Sequence, residues 1–246
     1  MNPREWDKQK LVDAMVLVII FAFLLSYFTP QLLLSKTITT GGDTASHYYS
    51  AYFMKNSLLP AGKVVGWTPG NYAGFPMFQF YFFLPFLTMA LLSYLIPLQI
   101  AFKLVSVLGI FLLPAAAYFG MKAMKFRFPI PAFSAVFMLP FLFMEANSMW
   151  GANIPSTLAG EFSFSISMAL TLIFLGVLYG EMEKTEGRRS LPLIILLVLI
   201  TLTHVYTLLF VVATSAYFLA ERSREKLARN IVFLFKIYFT AFLLTS

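Results

Sequence analysis

The chain contains no cysteine. Disulfides, thiolate nucleophiles and thiolate-bound zinc are therefore excluded, and the redox compartment is left open. Charge is scarce as well: 12% of the residues are charged, against about 25% in soluble domains. A water-soluble domain of this length lacks the surface it would need. A cleavable leader is not expected, because the first apolar run is longer than a signal-peptide core and no small-x-small pattern follows it. Segment 11–34 is expected to remain as a membrane anchor.

What the chain has instead is apolar sequence, 59% of it, with a mean hydropathy of +0.79. The apolar segments are 11–34, 77–97, 100–121, 128–144, 162–180, 191–220 and 231–246. They are helix-length and do not alternate apolar with polar residues, which favours an all-α polytopic transmembrane helical bundle over a barrel. Residues 1–246 read as a single transmembrane domain. The last segment closes on Phe242-Leu243-Leu244-Thr245-Ser246 with no polar tail, so the chain is expected to stop inside a helix of a longer protein.

The formal net charge of +7 is topology information, since the basic residues cluster between apolar runs. No basic surface interleaved with aromatics stands out, and nucleic acid is not expected as a partner. The clusters are Arg4/Lys8/Lys10, Lys122/Lys125/Arg127, Lys184/Arg188/Arg189 and Arg222/Arg224/Lys226/Arg229. Cytoplasmic loops concentrate Lys and Arg, but simple alternation of the segments puts the second cluster opposite the first. Two changes repair the parity. Segment 77–97, broken by Pro85 and ended by Pro97, would be re-entrant or lie along the outer surface. Segment 191–220, too long for one ordinary span, would split near Thr203-His204. The N-terminus and all four clusters then face the cytoplasm of a plasma-membrane protein. Residues 35–76 become the first extracytoplasmic loop, and Asp43, His47 and His204 share its side.

That loop holds the candidate chemistry, Gly41-Gly42-Asp43-Thr44-Ala45-Ser46-His47. From Asp43 the spacing predicts an interfacial helix over 44–59, with Asp43 as N-cap accepting a bond from a first-turn amide. Ala45, Tyr48, Tyr49, Tyr52 and Phe53 would form its apolar face, and Asp43, His47 and Ser50 the face toward water or protein. Asp43 is either a plain cap or a general base or metal-binding carboxylate, with His47 assisting. A divalent ion such as Mg2+ or Mn2+ is the cofactor this second reading allows. Farther on, Trp67 and Asn71 lie in a loop whose aromatics can stack on a sugar ring, though Trp and Tyr also anchor membrane interfaces. Lys103 can meet the phosphate of a lipid carrier or snorkel to the headgroups. Glu145 and Glu161 bracket a loop with Asn147, Trp150 and Asn153, and Glu161 begins a helix, where the dipole favours a carboxylate. His204 is either a structural histidine or the outward turn of a helical hairpin reaching the chamber of Asp43.

The run Gly-Gly-Asp-Thr-x-x-x-His after the first span, Trp67 with Gly74-Phe75-Pro76, and Phe80-Tyr81-x-x-Leu84-Pro85 resemble motifs of the GT-C superfamily of membrane glycosyltransferases. A group of prokaryotic membrane proteins labelled "6-pyruvoyl-tetrahydropterin synthase-related" is the nearest likeness. Gly160-Glu161-Phe162-Ser163-Phe164-Ser165 and Leu202-Thr203-His204 are similar to motifs of that group. The label gives no reason to expect pterin chemistry. The resemblance implies a polyprenyl-phosphate sugar donor and an acidic residue of the first outer loop as base or metal ligand, which maps only to Asp43. Many relatives pair two acids there; this loop has one.

The leading expectation is a membrane glycosyltransferase working on the extracytoplasmic face. Asp43 and His47 would be catalytic, Lys103 would steady the leaving phosphate, and Glu161, His204, Trp67 and Asn71 would line the substrate chamber. Its rival is a non-catalytic transporter or lipid-handling protein, because broken helices and intramembrane charges also belong to transporters. An inverted repeat would favour that rival, and the sequence has none. A third possibility is a catalytically incomplete fragment of the enzyme.

Overall fold

In hydrocarbon every backbone amide and carbonyl must be paired within the protein, so a long apolar segment becomes a helix. The computed structural model describes residues 3–70, 72–149, 151–221 and 224–246. Its helices are α1 (Pro3–Tyr27), α2 (Pro30–Leu33), α3 (Thr44–Phe53), α4 (Leu84–Leu92), α5 (Leu98–Ala123), α6 (Ile130–Leu142), α7 (Ile154–Ser156), α8 (Phe162–Met182), α9 (Leu191–Thr203), α10 (Thr207–Ala220) and α11 (Arg224–Thr245). Proline occupies the first turn of α2, α4, α6, α7 and α9, where its missing amide costs no hydrogen bond. Among the described residues, four helical stretches are long and apolar enough to cross a membrane: Lys8–Tyr27, Leu98–Ala123, Ile154–Met182 and Lys226–Thr245. The protein is an all-α polytopic bundle.

Helix α5 is the axis of the bundle, packing on α8, α6, α4 and α1. It runs parallel to α8, and the two approach along glycines. A Cβ on Gly109 would lie 2.2 Å from Ser165 Oγ, and one on Gly176 would lie 2.5 Å from the Gly120 carbonyl oxygen. Small residues let membrane helices come close enough for backbone packing to hold them. Helix α1 runs antiparallel to α5, with Asp13 beside Tyr118 and Phe21 against Phe111. Helix α9 returns along α8, where Ser167 Oγ donates to the Ile200 carbonyl at 3.2 Å.

These directions sort the charged residues by end. Lys10, Lys122 and Arg127 surround one cavity, and Gly180 of α8 abuts Ala123 of α5, so the loop after α8 lies at that end too. There Arg188 donates to Asn230 Oδ1 at 2.6 Å, joining the third basic cluster to the fourth. Asp43, Glu161 and His204 lie at the other end. Arg222, of the fourth cluster, lies outside the described residues.

Segment 77–97 contains only α4, nine residues or about 14 Å of helix, less than half of a roughly 30 Å hydrocarbon core. Segment 191–220 is interrupted where Thr203 ends α9 and His204 turns to an extended backbone. The loop expected over 66–76 differs from the structure. Gly66–Thr68 (β1) pairs antiparallel with Phe75–Met77 (β2), Trp67 opposite Pro76. Tyr49 and Thr68 share a hydrogen bond of 2.8 Å that docks this ribbon on α3.

Candidate functional site at the α3–α8 junction

Asp43 occupies the N-cap position of α3, but its side chain makes no capping bond. That corrects the expected cap. Instead the Asp43 amide donates to the Ala159 carbonyl at 2.7 Å, tying the first loop to the π-helical turn Thr157–Glu161 ahead of α8. Glycine permits this contact. Gly42 has φ +49, and a Cβ there would stand 2.0 Å from the Ala159 oxygen. Gly160 has φ +129, and a Cβ on it would approach Asp43 Cβ at 3.0 Å and His47 Cδ2 at 3.2 Å. Two glycines of positive φ thus bring Asp43, His47 and Glu161 to one place.

The faces of α3 are corrected in part: Tyr48, Tyr49 and Phe53 pack against buried neighbours as expected, but Ala45 and Tyr52 do not. Thr44, Ala51 and, just beyond the helix, Met54 are buried, while Tyr52 is 51% exposed. His47 points inward, stacked on Tyr81 with ring centroids 5.9 Å apart and in contact with Phe86 and Phe162. The helix is wedged against α4 and α5, so its inward stripe follows the spacing from Thr44 through His47 and Ala51 to Met54. Tyr52 belongs to the outer face. The helix ends at Phe53, and the rest of the expected 44–59 stretch is a π turn (Met54–Leu58) and the start of a 3-10 turn (Leu59–Ala61).

Burial lowers the pKa of the His47 imidazole, and the Asp43 carboxylate works against that shift. Burial, reinforced by Glu161 and Asp43, raises the Tyr81 phenol. At pH 7 the site therefore combines a mainly neutral imidazole and a protonated phenol beside Asp43. His204 approaches from the α9–α10 break. Its Nε2 stands 4.0 Å from Glu161 Oε2, and its ring lies 4.4 Å from Phe82. Burial pushes its pKa down to about 4, so this contact is not an ion pair at neutral pH, and it is too long for a hydrogen bond.

Beside these groups lies a cavity of about 530 Å³. Ser46, His47, Tyr49 and Ser50 form one wall, and Phe75, Pro76, Met77, Phe78, Phe80 and Tyr81 form the other. Aromatic walls with a few hydroxyls and an imidazole suit a ligand that has both apolar faces and hydroxyl edges.

The structure brings together Asp43, His47, Glu161 and His204. Tyr81 and Gly160 also belong there; both lie in motifs that carried the family resemblance, but one sequence gives neither a role. Trp67 sits on β1, 64% exposed, its indole folded over Gly74 and absent from the cavity lining. Asn71 and Trp150 lie outside the described residues. Glu145 is exposed, and Asn153 is fully buried as a loop organiser, donating to the carbonyls of Met144 and Asn147.

Lys103 is placed elsewhere. It is 4% exposed and neither snorkels nor lines the His47 cavity. Its ammonium donates to the Leu32 carbonyl and, at 2.7 and 2.9 Å, to the carbonyl and hydroxyl of Ser35. Three donors are thus engaged in closing the end of α2. As for a metal, among the described residues no three His, Asp or Glu side chains gather closely enough to hold one.

Over residues 78–246 the chain matches the family model described as "6-pyruvoyl-tetrahydropterin synthase related domain; membrane protein". The chain belongs to this family of membrane proteins. Glu161 and His204 fall within the matched residues, while Asp43 and His47 precede them. Comparison with curated proteins finds no match, and comparison with solved structures finds none.

Proposed function

We propose that the protein is a membrane glycosyltransferase of GT-C type that takes its sugar from a polyprenyl-phosphate donor. The observation that carries this reading is an Asp43 carboxylate exposed at the α3–α8 junction with no capping bond, beside a neutral imidazole and an aromatic cavity. A side chain not used by the fold is available to the reaction. Asp43 takes the proton of an acceptor hydroxyl, and the acceptor oxygen attacks the anomeric carbon. The bond from that carbon to the phosphate oxygen breaks, and polyprenyl phosphate leaves with the electron pair. His47 holds the acceptor side of the pocket, Tyr81 donates a hydrogen bond from its phenol, and Glu161 and His204 stand beside Asp43, outside the cavity lining. Alignment of the two reactants in a recess supplies the proximity term.

Lys103 has no part in this scheme, since its protons are engaged at α2. The side chains at the junction do not by themselves complete a metal site. An Mg2+ ion at Asp43 would need water and substrate phosphate oxygens for its other ligands, and no step depends on one. In this reading the site faces the outside of the plasma membrane and the basic end with the N-terminus faces the cytoplasm, following the distribution of Lys and Arg.

The test is donor turnover by the full chain in lipid. With a radiolabelled polyprenyl-phosphate hexose and a hydroxyl acceptor, the protein should release polyprenyl phosphate and move the label to a polar product. No release across a panel of hexoses and acceptors contradicts the assignment.

A further inference from the structure

The end of the bundle opposite Asp43 contains a second cavity, of about 420 Å³, that the proposed reaction does not use. Its lining joins Lys10 and Asp13 of α1, Lys122 of α5, and Arg127 and Phe128 of the connection to α6. Lys122 and Arg127 stand in this lining with the Asp13 carboxylate. Among the described residues no carboxylate lies within ion-pair distance of Lys122 or Arg127. Asp13 is 4% exposed; one of its oxygens accepts from the Tyr118 hydroxyl at 2.8 Å, and the Lys122 ammonium stands 5.9 Å from the Tyr118 ring. The carboxylate thus fixes the ring beside which Lys122 sits, while its other oxygen has no hydrogen-bond partner among the described residues.

An excess of positive charge around a recess at the end of membrane helices is chemistry for phosphate oxygens. Helices α1 and α6 also expose large apolar side chains. Leu11 and Met15 of α1 are 61% and 53% exposed, and Phe133 and Phe137 of α6 are 55% and 68% exposed. Acyl chains can lie on these faces while a headgroup enters the recess. We propose that this cavity binds the phosphodiester headgroup of an anionic phospholipid, held by Lys122 and Arg127. A phosphatidylcholine headgroup fits poorly, because its quaternary ammonium meets the same cations.

Native mass spectrometry of the full chain in detergent tests this, with phosphatidylglycerol, phosphatidylcholine or inorganic phosphate as the added probe. The protein should retain phosphatidylglycerol in preference to phosphatidylcholine. Lys122→Gln and Arg127→Gln should each lower that retention about fivefold, whereas Lys63→Gln, an equal charge change at an exposed loop, should not. Equal retention of the two lipids, or variants that hold phosphatidylglycerol like the unsubstituted protein, overturns the proposal. Inorganic phosphate that displaces the lipid as effectively as competing phosphatidylglycerol assigns the site to a soluble phosphate and also overturns it. Should the variants not fold, retention by the unsubstituted protein must still fall as salt rises, and insensitivity to salt counts against the site. None of these outcomes depends on Asp43.

Discussion

At the residue scale, Gly160 decides how closely Asp43 and His47 can approach the turn ahead of α8. Its φ of +129 and the 3.0 Å approach of Asp43 Cβ leave an alanine there both strained and crowded. Gly160→Ala should lower stability by about 1–3 kcal/mol and displace Asp43 from its contact with the turn ahead of α8, seen as a lower melting temperature together with lost transfer. An unchanged melting temperature would mean the glycine is not needed for this contact. His204 gives a second prediction. Its imidazole titrates near 6.5 when unfolded and near 4 in the folded protein. Between those values the unfolded state binds more protons, so stability rises with pH and is lost on acidification from about 6.5 toward 4. The melting temperature should fall over that range, and His204→Phe should flatten the fall. His47, shifted the same way by burial, accounts for slope that remains. A slope unaltered by His204→Phe would show that His204 is not the group being charged.

Among elements, the α5–α8 pair depends on backbone contact. Gly176→Leu would push a side chain into the Gly120 backbone, 2.5 Å from where a Cβ would start. Overpacking of this kind costs about 1–3 kcal/mol, measurable as a lower melting temperature and a reduced folded yield; an equally stable variant would mean the helices separate freely there. Elements built from local sequence were legible beforehand. Hydropathy marked the helices, and a 30-residue apolar stretch with His204 in its middle implied the break between α9 and α10. What was not legible depends on partners distant in the chain. Three tyrosines at 48, 49 and 52 look like one apolar face, but which of them turns inward depends on how α3 sits against α4, α5 and α8. The fate of Lys103 likewise depends on α2, about 70 residues earlier. The β1–β2 ribbon has only three residues per strand, too short for alternation to reveal.

For the whole molecule, the arrangement of charge makes a topology prediction. Basic clusters gather at one end of the bundle and the Asp43 site at the other. With no native cysteine, a single cysteine at exposed Gly187 and another at exposed Ser46 should react with an impermeant reagent from opposite sides of the membrane. Reaction from the same side would contradict the orientation. The site itself was legible in part: Asp43, His47, Glu161 and His204 stood out as ionisable groups in an apolar chain, and the fold brings them to one end. Their contacts with Gly160 and Tyr81 needed the tertiary structure. The central claim is that this end of the molecule transfers a sugar with Asp43 as base, and Asp43→Asn tests it most directly. The substitution keeps the size and leaves the Asp43 backbone contact to Ala159 in place, but removes the basic group. Turnover of a polyprenyl-phosphate sugar should fall by about two orders of magnitude or more at an unchanged melting temperature, whereas undiminished turnover would remove Asp43 from the mechanism.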